Sequence, residues 1–193
     1  MTPRDPEALQ VAFIVLDILR RFRIPYHLGG SFASAIHGIP RQTQDVDLVV
    51  DLEPGREREL ARELSAHFYV DEQAISRAVA ERSSFNAVHL PTGVKVDLFV
   101  KGDSAFDEAE FERSVVARLG DEAPRDVRVK SAEDTVLRKL LWFRLGDEVS
   151  DRQWQDVRGI VGVQADRLDA TYLRRWAGQL GILDLLERAL HER

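Results

Sequence analysis

Cysteine is absent from this chain of 193 residues, and no apolar run approaches the roughly 20 residues needed to cross a bilayer. The lack of cysteine excludes disulfide bonds, thiolate metal ligands and a cysteine nucleophile. The first ten residues, MTPRDPEALQ, are polar and partly acidic, a composition unlike that of a signal or transit peptide. We therefore expect a cytoplasmic protein with no membrane partner.

An excess of positive charge is also missing. The sequence has 27 lysines and arginines against 33 aspartates and glutamates, which gives a net charge of −6. This balance argues against a protein that binds nucleic acid over its whole surface, because such binding depends on clustered basic residues. A local basic groove is still compatible with it, so RNA stays open as a transient substrate.

Strand and helix patterns are mixed up to about residue 130, and helical patterns alone follow. The sequence therefore predicts an α+β fold, with an α/β core at residues 1–130 and a C-terminal helical subdomain at 131–193. In the core we predict a hairpin over 85–100 whose loop is Pro91–Gly93. Capping patterns predict helices that begin at Ser131, Ser150 and Asp169.

Three aspartates occupy unusual positions in predicted strands. Asp45 and Asp47 are two residues apart and so point to the same side of a strand, while Asp97 lies between Val96 and Leu98 in a second apolar strand. If these strands are neighbours, three carboxylates meet on one face, at a cost of several kcal/mol unless cations compensate them. Mg²⁺ prefers such oxygen ligands and is commonly shared with nucleotide phosphates.

Gly29 and Gly30 lie between a predicted strand and a predicted helix over 31–36. A glycine turn at this place lets backbone amides approach a ligand closely, and the start of a helix favours phosphate. Ser31 adds a hydroxyl group there. The stretch thus predicts a phosphate-binding turn followed by a metal-binding pair of acids.

These motifs resemble a known family. Gly29-Gly30-Ser31, thirteen intervening residues, Asp45-Val46-Asp47 and a later Asp97 are similar to the nucleotidyltransferase superfamily of the DNA polymerase β type. The run GGSFASAIHGIPRQTQDVDL resembles the bacterial branch that contains the AbiEii-type toxins. The resemblance covers 27–52 and 94–100, and it implies a small mixed β-sheet flanked by helices, with a helical subdomain after it.

The resemblance also implies an activity. A nucleoside monophosphate would pass from an NTP to a hydroxyl acceptor, with Mg²⁺ or Mn²⁺ as cofactor, and Asp45, Asp47 and Asp97 would hold the metal. A toxin-like role favours RNA, such as tRNA, or protein as the acceptor and an antitoxin as a partner. Two alternatives stay open: a non-catalytic nucleotide- or partner-binding module, and a small-molecule nucleotidyltransferase of the aminoglycoside-modifying kind.

Further candidates have a structural reading beside the functional one. Lys139 and Asp156 are placed like a lysine and an acid of the resembled family; they would serve the triphosphate, or form an ion pair with each other. Arg41 and Thr43 precede the aspartates and would contact the nucleotide, or belong to an ordinary polar loop. Lys95 shares a strand face with Asp97 and would take part in the site, or only neutralise that acid.

Overall fold

The computed structural model describes residues 6–41, 43–121 and 123–192. Within them, seven strands form one mixed sheet: β1 (Tyr26–Leu28), β2 (Val46–Val50), β3 (Phe68–Tyr69), β4 (Ser84–His89), β5 (Lys95–Val100), β6 (Val115–Leu119) and β7 (Arg125–Val129). The same residues contain nine α-helices: α1 (Glu7–Arg21), α2 (Gly30–His37), α3 (Glu57–Leu64), α4 (Glu72–Glu81), α5 (Ala105–Glu112), α6 (Ala132–Leu145), α7 (Asp151–Gln164), α8 (Ala170–Gln179) and α9 (Leu183–His191). The expected α+β class is therefore confirmed. None of the helices in these residues is long and apolar enough to span a membrane.

The strand order is β3-β4-β5-β2-β1-β7-β6. β2 runs parallel to β5 and antiparallel to β1, while β1 runs parallel to β7. The outer pairs, β3 with β4, β4 with β5 and β6 with β7, are antiparallel. The two aspartate-bearing strands, β2 and β5, are therefore direct neighbours.

Alternation along β2 and β5 separates a buried face from a more open one. The buried face carries valine and leucine side chains: Val46, Leu48, Val50, Val96, Leu98 and Val100. Successive side chains of a strand point to opposite faces, so Asp47 and Asp97 lie on the other face, where they are partly exposed. Burial of the apolar positions thus fixes which way the carboxylates point.

Contacts divide the chain into two units. The sheet unit comprises the described residues up to Ser31 together with Thr43–Val129, and the helical unit comprises the described residues of 32–42 together with those from Lys130 on. The segment after Ser31 is thus grouped with the C-terminal helices. The division into domains at 1–130 and 131–193 stays a prediction.

Helix capping in the helical unit follows the sequence patterns. The Ser131 hydroxyl accepts a hydrogen bond from the Asp134 amide, and the Ser150 hydroxyl accepts one from the Gln153 amide. The carboxylate of Asp169 accepts one from Tyr172. These are the starts predicted for α6, α7 and α8, and they satisfy amide groups that have no partner inside the helix.

The predicted hairpin forms, but its loop is longer than expected. The His89 amide donates to the carbonyl of Val94 at 2.9 Å, so four residues connect this pair where three were predicted. The register places Asn86 opposite Asp97. The loop Pro91–Gly93 is therefore a wrong prediction, and the extra residue decides which side chains share a face.

Candidate active site

Two carboxylates lie side by side on the open face of the sheet unit. Asp47 and Asp97 are register partners in the parallel pair of β2 and β5. Asp45 directly precedes β2 and is exposed. The fold therefore brings the three predicted aspartates to the same part of the sheet, and side chains on adjacent strands in register are close enough to interact.

Lys95 forms an ion pair with one of these aspartates. Its Nζ lies 2.7 Å from Oδ2 of Asp97, two residues further along the same face of β5. The hydrogen bond to Asp97 raises the pKa of Lys95; partial burial opposes this, and the negative charges of Asp97, Asp45 and Asp47 add to the increase. All three carboxylates thus act on one ammonium group.

The glycine turn is built against Asp47. The Gly29 amide donates to the Asp47 carbonyl oxygen at 2.8 Å, and the Ser31 amide approaches its Oδ2 at 3.4 Å. Gly30 has φ +50°, and a Cβ atom at this position would lie 1.8 Å from that Oδ2. Only glycine combines this left-handed backbone with so close an approach of a carboxylate.

The donor set suits a divalent cation by its chemistry, since carboxylate oxygens are the ligands that Mg²⁺ and Mn²⁺ favour. Within residues 6–41, 43–121 and 123–192, however, no three His, Asp or Glu side chains are placed to hold one metal ion together. One oxygen of each carboxylate is already in contact with another group, since Oδ2 of Asp47 faces the glycine turn and Oδ2 of Asp97 faces Lys95. A cation bound at Oδ2 of Asp97 would displace the ammonium group.

A second cluster of charged residues lies in the helical unit, around Asp156 of α7. Arg41 donates to both carboxylate oxygens of Asp156, from Nε at 2.9 Å and from Nη2 at 2.8 Å. Nζ of Lys139, on α6, lies 2.8 Å from Oδ2 of the same carboxylate and donates to the side-chain oxygen of Gln153 at 2.9 Å. Two cations therefore converge on one carboxylate that is only 8% exposed.

The charges in this cluster fix the ionisation of Asp156. Burial acts to raise its pKa, but the hydrogen bonds and charges of Arg41 and Lys139 outweigh burial and hold the pKa below its ordinary value. The hydrogen bond to Asp156 in turn raises the pKa of Arg41. Asp156 and Arg41 are thus charged at neutral pH, and by formal charge the two basic side chains and one carboxylate give the cluster one net positive charge.

Each predicted site residue falls into one of these two places. Gly29, Gly30, Ser31, Asp45, Asp47, Lys95 and Asp97 lie in the sheet unit, as does Thr43, whose hydroxyl donates to the Asp45 carbonyl at 3.1 Å. Arg41, Lys139 and Asp156 lie in the helical unit. The ion pair of Lys139 with Asp156, one of the two expected readings, forms; a role of either residue toward a nucleotide stays a prediction.

Two polar residues beside these groups were missed. Asn86 of β4 lies opposite Asp97 in the register, and Gln153 accepts a hydrogen bond from Lys139. The predicted hairpin contained the signal for Asn86, but the loop had one residue too few to align it with Asp97. In the sequence, Gln153 belongs to the capping pattern that begins at Ser150 and has no other sign of a function. Its position beside Lys139 depends on how α6 and α7 pack.

Comparison with known families matches residues 17–172 to the model of the AbiEii family, described as a nucleotidyl transferase toxin of a type IV toxin–antitoxin system. The match spans most of the chain and includes every candidate residue of both units. The chain belongs to the AbiEii family of nucleotidyltransferases. No curated protein matches the AbiEii-family chain in sequence.

Solved structures place the fold of this AbiEii-family chain among nucleotidyltransferases. It is similar to ANT(2″)-Ia, solved in complex with adenylyl-2″-tobramycin, with a TM-score of 0.59 and 18% identity over 89% of this chain and 95% of the other. It is also similar to a nucleotidyltransferase-like protein from Paracoccidioides brasiliensis, with a TM-score of 0.55 and 19% identity over 98% and 95% of the two chains. The lincosamide adenylyltransferase LnuA, solved with lincomycin bound, gives 0.50 and 13% over 83% and 99%.

Proposed function

We propose that this chain transfers a nucleoside monophosphate from an NTP to a hydroxyl acceptor and requires Mg²⁺ or Mn²⁺. One observation carries the proposal beyond membership of the family: Asp47 and Asp97 are register partners beside the turn of Gly29 and Gly30. Carboxylates that bind a metal and amides that bind phosphate are the two elements that nucleotidyl transfer needs.

The reaction is an in-line displacement at the α-phosphorus of the NTP. The acceptor oxygen forms a bond to phosphorus, the bond from that phosphorus to the bridging oxygen breaks, and pyrophosphate leaves with the bonding electrons. The proton of the acceptor hydroxyl passes to a nearby base. Divalent cations, when bound, would supply charge neutralisation at the attacking and leaving oxygens.

Asp45, Asp47 and Asp97 would hold the cations in this proposal. Asp97, on β5 beside the exposed Asn86 of β4, is the carboxylate that would assist the acceptor in this proposal. As the third carboxylate, it would orient the hydroxyl and favour loss of its proton. Asp45 and Asp47, at the start of β2, would serve the nucleotide side.

The glycine turn would bind the triphosphate. Gly30 and Ser31 open helix α2, whose first amide groups have no partner within the helix. Such amides and the helix dipole favour phosphate oxygens. The Ser31 amide lies 3.4 Å from Oδ2 of Asp47, so a phosphate oxygen bound there would take the place of that carboxylate oxygen.

Lys139 is the proposed phosphate ligand of the helical unit. Its ammonium group is nearly buried and its partner Asp156 is shared with Arg41. The net positive charge of these three residues suits an anion. Asp156 and Gln153 would hold Lys139 in one conformation, so that little side-chain freedom is lost on binding. Arg41 and Thr43, in the loop before β2, are proposed as further nucleotide contacts.

RNA or protein is the acceptor that we favour, in a toxin-like activity, because the family description is that of a toxin from a toxin–antitoxin system. The same description supports an antitoxin partner, and a cytoplasmic site of action is a further part of the proposal. A small-molecule acceptor is the second candidate. Its support is the fold shared with ANT(2″)-Ia, solved with an adenylylated tobramycin, and with LnuA, solved with lincomycin.

Label transfer tests the proposal. The chain is incubated with each α-labelled NTP and Mg²⁺ or Mn²⁺, together with tRNA, a protein extract, an aminoglycoside or a lincosamide, or alone. The inactive control is the double variant Asp45→Asn with Asp47→Asn. Asp51→Asn is the matched control, since Asp51 pairs with Lys101 at 3.6 Å at the other end of β2.

We expect label on one acceptor class, lost by at least about 100-fold in the double variant because the metal ligands are removed, and unchanged in Asp51→Asn. Equal label transfer by the double variant would show that these aspartates are not the catalytic site. Binding of NTP without transfer to any acceptor would favour the non-catalytic binding module.

A further inference from the structure

Lys95 occupies the place where a cation is needed. Val46 and Val96 are register partners in the pair of β2 and β5. One step forward along both strands, Asp47 is level with Asp97; at the other side of this pair, Asp45 directly precedes β2 and Lys95 is the first residue of β5. Three carboxylates and one ammonium group therefore form a four-residue cluster, the acidic square, in which Lys95 supplies the positive charge.

Lys95 compensates only part of the negative charge of the acidic square. Three carboxylates and one ammonium group sum to −3 + 1 = −2. The ammonium group is 2.7 Å from Oδ2 of Asp97. A divalent cation on the same carboxylate would lie within a few ångströms of the ammonium group, and two positive charges that close repel each other.

A bare cation and a cation bound to nucleotide differ in whether they bring hydrogen-bond acceptors for Lys95. Entry of a bare cation displaces the ammonium group from Asp97 and brings no further anion to the cluster. A metal–nucleotide complex also brings phosphate oxygens, to which the ammonium group can turn, because lysine is a flexible point charge with three donors. Lys95 therefore opposes the first ligand more than the second.

We propose that Lys95 is an internal counter-cation that disfavours binding of bare divalent metal to the acidic square and gives way to the metal–nucleotide complex. This inference rests on the proposed function and deepens it, since it makes Lys95 a determinant of which ligand the site accepts. Metal would then enter mainly together with the NTP. The side chain is 44% exposed, so it can move without rearrangement of the sheet.

The test measures Mn²⁺ binding by calorimetry and by loss of the electron paramagnetic resonance signal of free Mn²⁺. Each protein is titrated with Mn²⁺ alone and with Mn²⁺ in the presence of an α,β-methylene NTP analogue. Lys95→Gln removes the charge, and Lys95→Arg keeps it. Lys101→Gln is the matched control, because Lys101 shares the strand parity of Lys95 six residues away, about 20 Å along the strand, and pairs there with Glu108 and Asp51.

We expect Lys95→Gln to bind bare Mn²⁺ on the order of ten-fold tighter than the unmodified chain, by the Coulomb repulsion removed at this distance in a partly solvated site. The same variant gains little or nothing with the analogue present. Lys95→Arg and Lys101→Gln stay within about two-fold of the unmodified chain. Circular dichroism checks the fold of each variant, and Lys95→Met, which keeps the aliphatic stem, replaces Lys95→Gln if that variant fails to fold.

Two results would overturn the inference in different ways. Equal or weaker binding of bare Mn²⁺ by the charge-removing variants, with analogue-dependent binding intact, would refute the role of Lys95 and leave the nucleotidyltransferase proposal standing. Absence of Mn²⁺ binding in every protein, with or without the analogue, would refute both proposals.

Discussion

Gly30→Ala should separate the geometry of the site from the stability of the fold. Alanine at this position meets two obstacles: the backbone has φ +50°, and the new Cβ atom would lie 1.8 Å from Oδ2 of Asp47. The carboxylate can turn away, but Cβ of Asp47 would still lie 2.7 Å from the new atom, so the glycine turn and β2 must also move apart locally. We therefore expect the variant to fold with Asp47 displaced.

The size of each effect follows from these contacts. The left-handed backbone costs an L-residue about 1–2 kcal/mol, and loss of the contact between the Ser31 amide and Asp47 adds about 1 kcal/mol. We expect the free energy of unfolding to fall by at least about 2–3 kcal/mol, because the overlap with Cβ of Asp47 adds to these two costs. A misplacement of about 1 Å in a metal ligand reduces nucleotidyl transfer by about 100-fold.

Gly181→Ala is the control for backbone strain alone. Gly181 has φ +69°, and a Cβ atom there would meet nothing within 4 Å. Urea unfolding should give a loss of about 1 kcal/mol for this variant, with label transfer and Mn²⁺–NTP binding unchanged. If Gly30→Ala retains full Mn²⁺–NTP binding and transfer, Asp47 does not need the position that the glycine turn gives it, and the reasoning is refuted.

Two further predictions concern the helical unit. Asp156→Asn should lower the free energy of unfolding at pH 7 by about 3–5 kcal/mol, because it leaves Lys139 and Arg41 without their shared carboxylate. The pKa of Asp156 is depressed in the folded chain, so the stabilisation by this carboxylate is present above its ordinary pKa of 3.8 and is lost as pH falls through the lower folded value. Urea unfolding should therefore show the difference in stability between Asp156→Asn and the unmodified chain decreasing as pH falls below 3.8. A difference independent of pH would contradict this. Ser131→Ala should lower the free energy of unfolding by about 1–2 kcal/mol and Ser150→Ala by less, because Ser131 is buried and also donates to Asp134 at 2.5 Å. Equal losses of stability for the two variants in thermal unfolding would contradict this reasoning.

The direction of the aspartates was predictable because it depends on local alternation. In VDLVV and KVDLFV, the apolar positions must be buried, and the aspartates between them then point to the opposite face. The sequence also placed Gly29 and Gly30 where a strand turns into a helix. Their function as a close support for Asp47 needed coordinates, because it depends on one backbone angle and one side-chain oxygen.

Register and long-range pairing were not predictable. A loop of three residues between β4 and β5 would set Asn86 opposite Leu98, whereas the observed loop sets it opposite Asp97. The sequence analysis predicts no strand at β7, because only Val127 and Val129 of its five residues are apolar and its pairing with β1 joins residues about a hundred positions apart. α4 was missed because its buried side is small: Ile75, Ala78 and Val79.

The Asp156 cluster shows the same limit. Arg41 and Asp156 are 115 positions apart, and no local pattern pairs them. The sequence predicts Asp156 as a possible partner of Lys139, and this ion pair forms. It does not predict that Arg41 binds the same carboxylate. Such clusters depend on helix packing, and helix packing depends on side chains from several segments at once.

Diffraction from crystals grown with Mn²⁺ and a non-hydrolysable NTP analogue would locate the metal. We expect an anomalous peak on the open face of the sheet, at about 2.1 Å from carboxylate oxygens of Asp47 and Asp97, with the triphosphate against Gly30 and Ser31. The Lys95 ammonium group should have left Asp97. Manganese bound at any other place, with Asp97 still paired to Lys95, would contradict the proposed site.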